Sequence, residues 1–288
     1  MKRKNNISAY FFLVPAGIVY LSVIIVPVFY SLFVSLHKWN GIAKMEFVGL
    51  ENYITLIFHD ETFLIALRNN ILWIILTISV TMTVSLGFAI VLNKKFFGRT
   101  VFRAFFYFPC VVASIAVAII WRWIYNPNIG FINQFFKALG TGIKQTWISD
   151  PKASLYACFF ASLWQGIGQP MIMFLAGLQA VPSEILEAAT IDGAGPVKRF
   201  VKVTCPLMKE TFIIVLATLI VAAMKVFDII QGLTGGGPNN ATQMLATYMY
   251  SQTFLYNNVG MGTAVACIMI FMMLLVIVPY ISFTAKEK

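Results

Sequence analysis

The side chains with the clearest chemical character lie inside long apolar stretches. Lys225 and Asp228 are three residues apart, a spacing at which opposite charges can neutralise each other on one face of a helix. Trp164, Gln165 and Gln169 form a second polar group in an apolar run beside glycine and proline. Because charges and amides are costly in an apolar environment, both groups predict either a packing contact or the lining of a polar path. The residues alone leave the two open.

Established signatures of catalysis and nucleotide binding are absent from the sequence. It contains no HExxH, GxSxG or GxxxxGK[ST] segment, so neither a metalloprotease-like, a hydrolase-like nor a P-loop site is predicted. The four cysteines are far apart, without a CxxC pair or a histidine at metal-ligand spacing, which disfavours a disulfide framework or a zinc site. We therefore expect no catalytic residue, no metal site and no cofactor bound by this chain.

The composition predicts which solvent the chain faces. Of 288 residues, 59% are hydrophobic and only 11% are charged, against about 25% charged in an ordinary soluble domain. The net charge of +10 is spread over too few charges to form a basic groove for nucleic acid, and we expect no nucleic-acid partner. The sequence therefore predicts an all-α integral membrane protein in contact with lipid.

Charge-free intervals of about 20 residues identify candidate transmembrane helices. Six are predicted, at about residues 10–36, 69–93, 104–123, 153–178, 210–232 and 260–283. The first is too long for the apolar core of a secretory signal, so we expect a retained span. With both termini in the cytoplasm, thirteen Lys and Arg residues fall in cytoplasmic segments and seven in outer segments. This bias predicts that orientation.

The segment 181–210, between the fourth and fifth predicted spans, carries strong helix signals. Ser183 is a suitable N-cap for a helix over about 184–191, and Asp192 with Gly193 should end it. Pro196 suits the first turn of a second helix, which Pro206 should end. The pattern predicts a cytoplasmic two-helix loop, which either caps the bundle or docks a soluble partner through its small side chains.

Several motifs resemble one family of membrane proteins. EAATIDGAG, followed by Phe200 and Pro206, resembles the EAA loop of the permease subunits of binding-protein-dependent ABC importers. Three further segments resemble the carbohydrate branch of that family: LTGGGPNNAT at 233–242, EFVGLENY at 46–53 and WQGIGQPMIMFLAGLQAVP at 164–182. The similarity covers nearly the whole chain.

The resemblance implies a transport subunit rather than an enzyme. Residues 1–288 would form one ABC-importer transmembrane domain in a bacterial or archaeal cytoplasmic membrane. It would supply half of the translocation pore beside a second permease, usually a different chain. Two ATPase subunits would bind ATP and Mg beneath the pore, and an extracytoplasmic solute-binding protein would deliver a sugar. An ion-coupled secondary transporter is the alternative, although the sequence shows no obvious internal repeat.

The resemblance also implies roles for individual residues. The contact with the ATPase would be carried by the EAA motif and the turn after it, with two further residues holding the second helix: Glu187, Ala188, Ala189, Asp192, Gly193, Phe200 and Pro206. The polar residues Trp164, Gln165, Gln169, Lys225 and Asp228 become candidates for the substrate path. The loop at 234–240 is either a contact for the binding protein or a flexible connector.

Overall fold

The computed structural model describes residues 7–142 and 144–285, with side chains over 12–142 and 144–279. In that part of the chain, helices dominate and the strands form a single two-stranded ladder. The chain forms two compact units, one made of the N-terminal part as far as Glu61 and the part from Tyr248 onward, the other of Thr62–Thr247. Helices satisfy their backbone hydrogen bonds internally, as a segment in lipid requires.

Two long helices organise the first unit. The first predicted span is α1 (Ile7–Tyr20), a π turn (Leu21–Ile25) and α2 (Val26–Ser35) in unbroken succession. The last predicted span is α17 (Val259–Ala285), which packs along α2. Both lie close to the predicted boundaries because apolar residues fill them from end to end.

The connection after α2 contains a hairpin that the sequence analysis missed. Strands β1 (His37–Lys38) and β2 (Glu46–Phe47) pair antiparallel, with His37 opposite Phe47. Helix α3 (Glu51–His59) follows. The Asn52 amide donates to the carbonyls of Ser35 and His37, at 2.8 and 3.0 Å. Two residues per strand are too few to show the alternation by which a strand is recognised in a sequence.

Within the first unit, Tyr248 hydrogen-bonds to two other side chains. The Tyr248 hydroxyl donates to the Asp60 carboxylate and accepts from the Gln252 amide at 2.6 Å. Burial, the largest cause, and the neighbouring carboxylate both raise the pKa of Tyr248 above its usual range. This tyrosine lies in α16 (Leu245–Tyr250), which a π turn (Ser251–Leu255) joins to the segment before α17.

The second unit is a bundle of helices. In chain order they are α4 (Glu61–Leu76), a π turn (Thr77–Thr81), α5 (Met82–Asn93), α6 (Arg99–Val111), α7 (Ser114–Ile124), α8 (Phe131–Ala138), α9 (Ser154–Gly166), α10 (Gly168–Ala180), α11 (Ser183–Ile191), α12 (Pro196–Arg199), a π turn (Phe200–Thr204), α13 (Cys205–Leu207), α14 (Lys209–Met224) and α15 (Asp228–Leu233). The second predicted span is one helix of 33 residues, Glu61–Asn93. It begins well before the predicted Asn69 because residues 61–68, which mix apolar and charged side chains, continue the helix.

Three predicted spans are broken rather than continuous. The span at 104–123 is divided into α6 and α7, bent by 101°, and the span at 153–178 into α9 and α10, bent by 45°. The span at 210–232 stops at Met224 and resumes at Asp228. Among the described residues, three helices are long and apolar enough to cross a membrane. Up to six segments qualify if each bent pair is one span, and the third such pair is Pro196–Leu207 with Lys209–Met224 rather than the two parts of the predicted 210–232.

Close backbone approach accompanies the bend in the fourth span. Gly166 and Pro170 flank the bend, and glycine and proline are residue types at which helices kink. A Cβ on Gly168 would lie 2.8 Å from the Phe106 carbonyl oxygen in α6. Only glycine therefore lets α10 and α6 pack at this distance.

Candidate functional site

The first helix of the 181–210 segment, which we call the EAA loop, ends as predicted. Gly193 adopts the left-handed conformation with φ +76°. The Ala194 N–H bonds to the Ala189 carbonyl at 2.9 Å, and the Gly193 N–H to the Thr190 carbonyl at 3.1 Å. This pair of bonds is the Schellman motif, which satisfies the last carbonyls of a helix and turns the chain. The turn leads directly into α12.

A side-chain bond ties the two helices of the EAA loop together. The Arg199 guanidinium in α12 donates to the Thr190 hydroxyl in α11 at 2.7 Å. The Thr190 hydroxyl in turn donates to the Leu186 carbonyl at 2.8 Å. The pair therefore makes the helix-turn-helix one element rather than two independent turns.

Two predictions about the limits of these helices are wrong. Ser183 is the first helical residue, Pro182 takes the N-cap position, and no side-chain capping bond is made there. Pro206 does not end the second helix, because helical backbone continues through Leu207 and bends by 73° before Lys209. The π turn directly upstream has wider backbone bonding, which accommodates a proline that lacks an N–H.

The EAA loop presents its motif to its surroundings. Glu187, Ala188, Asp192, Gly193 and Pro206 are exposed, whereas Ala189 is half-buried. Two apolar side chains flank the turn with unusually high exposure: Ile191 at 86% and Val197 at 77%. Exposed apolar side chains of this size, next to small residues, are typical of a surface that another protein covers.

Phe200 fixes the EAA loop to the bundle. This ring packs against a buried apolar cluster to which α5, α10 and α14 contribute. A groove of about 420 Å³ lies beside it, lined by Ile90, Leu186, Pro196 and Phe200 among others. The EAA loop is therefore joined to the spans by a packed aromatic side chain.

Gln165 supports the break in the third span. Its amide nitrogen donates to the Val112 carbonyl at 2.9 Å and to the Ser114 hydroxyl at 3.2 Å. Both acceptors lie at the junction of α6 and α7, where the helical pattern of backbone bonds is interrupted. In a membrane a freed carbonyl needs such a partner.

The two other breaks are supported in the same way. The Ser85 hydroxyl in α5 donates to the Ile167 carbonyl at the bend of the fourth span, at 3.1 Å. The Asn70 amide in α4 donates to the Ala223 carbonyl at the end of α14, at 3.3 Å. Each broken span therefore has a polar side chain from another helix directed at it. Ser85 and Asn70 were not among the predicted site residues, although a polar residue in an apolar span is the signal that could have found them.

Lys225 and Asp228 do not share a helix face. Lys225 caps the end of α14, Asp228 begins α15, and Val226 and Phe227 between them are not helical. Both side chains are exposed, and within the described chain no ion pair joins them. The prediction of neutralisation at i and i+3 is wrong because it required an unbroken helix.

The remaining path candidates are accessible on the described surface. Gln169 is exposed, and Trp164 is 36% exposed with its ring edge-on to Trp121 at 6.0 Å. Polar and aromatic side chains beside broken helices are an arrangement that transporters use to line a path. A role in a path stays a prediction for Trp164, Gln165, Gln169, Lys225 and Asp228, and the Gln165 nitrogen is already committed to the break.

The segment at 234–243, which we call the glycine loop, is irregular as predicted but closely bonded. The Thr242 hydroxyl donates to the Gly237 carbonyl and lies 2.7 Å from the Thr234 hydroxyl. The Asn69 amide donates to the carbonyls of Ala241 and Gln243, at 2.9 and 3.0 Å. Because Thr242 and Gln243 are also buried, the loop packs closely against the rest of its unit.

Comparison with known proteins decides the family. The model of binding-protein-dependent transport system inner membrane components matches residues 79–286. The chain belongs to this family. It is therefore a multi-pass membrane permease component and not an enzyme, and the alternative of an ion-coupled secondary transporter is wrong.

Individual relatives agree along the full length of the permease. It is 33% identical to the probable ABC transporter permease protein YurN of Bacillus subtilis, over 100% of both chains. It is 33% identical to the trehalose/maltose transport system permease protein MalF of Thermococcus litoralis, over 92% of this chain and 90% of that one.

A solved structure shares the fold. A chain of a bacterial alginate ABC transporter, crystallised with an alginate pentasaccharide-bound periplasmic protein, matches the permease with a TM-score of 0.84. Identity is 19%, and the match covers 96% of this chain and 93% of that chain. The broken-span architecture is thus a fold that a solved transporter also adopts.

Proposed function

We propose that this permease forms half of the translocation pore of an ATP-driven importer for a sugar or sugar derivative. A second permease, of related but different sequence, supplies the other half in a bacterial or archaeal cytoplasmic membrane. Two ATPase subunits bind ATP and Mg, and an extracytoplasmic solute-binding protein delivers the sugar. Relatives named for trehalose and maltose, and a fold shared with an alginate transporter, support a carbohydrate as the substrate.

The observation that carries the coupling role is the exposed turn of the EAA loop. Ile191 and Val197 flank a turn of small residues, and Glu187 and Asp192 add negative charge. Such a surface suits a cleft in a soluble subunit, with the apolar side chains as anchors and the carboxylates as contacts at the rim. The Arg199–Thr190 bond keeps the element rigid, as transmission of a movement requires.

The broken spans support a role in the pore. Backbone irregularity is tolerated at membrane depth where it is packed in protein or lines a cavity. Gln169, Lys225 and Asp228 are exposed on this chain next to such breaks. We infer that these side chains face the second permease, where a sugar needs hydrogen-bond donors and acceptors on the wall. Trp164 would offer a ring to the apolar face of the sugar.

A charge placed on the turn tests the coupling role. The importer complex is reconstituted in vesicles with its ATPases and binding protein, and ATP-driven uptake of maltose and trehalose is measured. We expect Ile191→Glu to lower uptake by about tenfold or more, the effect of losing a central interface anchor. The membrane level of the permease should stay unchanged because Ile191 contributes almost nothing to its core.

The chain offers a matched control in Ile42. This isoleucine is 95% exposed, in the connection between β1 and β2, so Ile42→Glu introduces the same change far along the chain from the EAA loop. Uptake should remain within about twofold of the unchanged protein. Normal uptake with Ile191→Glu would refute the coupling role.

A further inference from the structure

A groove of about 420 Å³, which we call the span-end groove, lies between two spans and the EAA loop. Its lining includes Ile90 in α5 and Leu178 in α10, each within three residues of the end of its helix. Because a helix rises about 1.5 Å per residue, both residues lie within about 5 Å of that end. The groove is therefore at the level where these two spans leave the apolar core of a membrane.

The EAA loop supplies the rest of the apolar wall. Leu186, Pro196 and Phe200 line the groove, and the Phe200 ring is fixed by its packing against a buried apolar cluster. The volume falls in the range of small-ligand sites, about 300–1,000 Å³. The span-end groove is thus a preformed, largely apolar space at the ends of the spans.

Two cationic side chains line the same groove. Lys94 directly follows α5 and is exposed, and Arg199 is held by its bond to the Thr190 hydroxyl at 2.7 Å. Asn93 and Thr204 add polar groups, and Thr204 is only 8% exposed. Among the described residues that line the groove, none is acidic. Positive charge and apolar surface therefore meet in one groove.

The lining also indicates the side of the membrane on which the groove lies. The segment after the second span and the EAA loop both contribute to it, so the two lie on one side. That side is cytoplasmic because the EAA loop contacts the ATPases, and in this respect the inference rests on the proposed function. Anionic lipids give the cytoplasmic leaflet a negative surface potential, and basic pockets between transmembrane helices on that side bind anionic headgroups.

We propose that the span-end groove binds an anionic phospholipid of the cytoplasmic leaflet. The headgroup phosphate lies between Lys94 and Arg199, and an acyl chain lies against Ile90 and Phe200. A free phosphate would use only the two cations. A zwitterionic lipid would bring its own cation next to those of the groove. An anionic phospholipid uses both the charge and the apolar wall.

Lipid titration of the assembled importer tests this site. Native mass spectrometry of the complex in detergent counts bound phosphatidylglycerol and phosphatidylcholine with identical acyl chains. We expect tighter retention of phosphatidylglycerol, and Lys94→Gln should weaken it about fivefold, the effect of removing one lysine from an anionic headgroup. Retention of phosphatidylcholine should not change, and excess inorganic phosphate should not displace phosphatidylglycerol.

Lys95→Gln is the matched control, since Lys95 is the next residue, is also exposed and lies outside the groove. It should leave phosphatidylglycerol retention unchanged. Equal retention of the two lipids, equal losses with the two variants, or displacement by inorganic phosphate would overturn the site. So would loss of the ATPases from the complex with Lys94→Gln at unchanged lipid retention, because the groove would then contact the ATPase.

Sugar uptake by the same complex in vesicles separates this inference from the proposed function. A complex that imports sugar but retains the two lipids equally would refute the lipid site alone. A complex that imports no sugar would refute the proposed function, whatever its lipid count.

Discussion

The EAA loop and the glycine loop are both recognisable in the sequence by small residues and helix breakers, yet they differ physically. The EAA loop is exposed at its motif, and the Arg199–Thr190 side-chain bond joins its two helices. In the glycine loop, the Thr242 hydroxyl bonds to the Gly237 carbonyl, and two further carbonyls accept hydrogen bonds from the Asn69 amide. Small residues therefore accompany an exposed surface in one loop and close packing within the chain in the other.

The comparison indicates where each loop should be sensitive to substitution. A change in the glycine loop affects a fixed part of the permease itself, so its effect should appear in stability. A change at the exposed turn of the EAA loop affects the surface that we propose contacts the ATPase, so its effect should appear in activity at unchanged stability.

The largest effect on stability is expected at Gly236. Its φ is +93°, and a Cβ there would overlap the Gln243 side-chain oxygen. Gly236→Ala should therefore lower the free energy of unfolding by about 2 kcal/mol, from backbone strain and from displacing the end of the buried Gln243 side chain. Thermal unfolding in detergent measures it.

Gly235 is the control within the same loop. Its φ is +61°, but a Cβ there would meet nothing within 4 Å. Gly235→Ala should lower the free energy of unfolding by only about 1 kcal/mol, the cost of a left-handed backbone conformation for a residue with a Cβ. Equal losses at the two glycines would show that the packing of the loop does not constrain it.

Two substitutions with smaller effects distinguish Gln165, which supports a helix break, from Gln169, a candidate path residue. Gln165→Leu removes the donor to Val112 and should cost about 1 kcal/mol of stability, the range of hydrogen bonds within membranes. Gln169→Leu, on an exposed side chain of the same segment, should leave stability unchanged and lower uptake. The same pair of measurements, unfolding and uptake, is made on both variants.

Two outcomes would contradict the roles given to Gln165 and Gln169. Unchanged stability with Gln165→Leu would show that the break holds without its donor. Uptake unaffected by Gln169→Leu would remove that residue from the path.

Much of the architecture was predictable because it depends on local composition. Long apolar intervals predicted helices that are long and apolar enough to cross a membrane, and Gly193 marked the end of α11 through its left-handed conformation. The bend in the fourth span is also a local feature, since Gly166 and Pro170 act on the helices that contain them.

The breaks in the third and fifth spans depend on residues far apart in the chain. The Val112 carbonyl is satisfied from Gln165, and the Ala223 carbonyl from Asn70. A local pattern contains no sign of such a partner, and so these spans were predicted as continuous and Lys225 was paired with Asp228. Pro206 failed as a stop signal for a local reason, since the π turn before it changes the backbone bonding and the helix continues through Leu207.

The most direct test of the account is hydrogen–deuterium exchange in the importer complex, measured with and without its ATPase subunits. We expect residues 183–199 to become protected when the ATPases are present, because the exposed turn of the EAA loop is then covered. The glycine loop should exchange slowly in both samples, since its bonds are internal. Equal exchange of residues 183–199 in the two samples would contradict the claim that this loop is where the ATPase engages the permease.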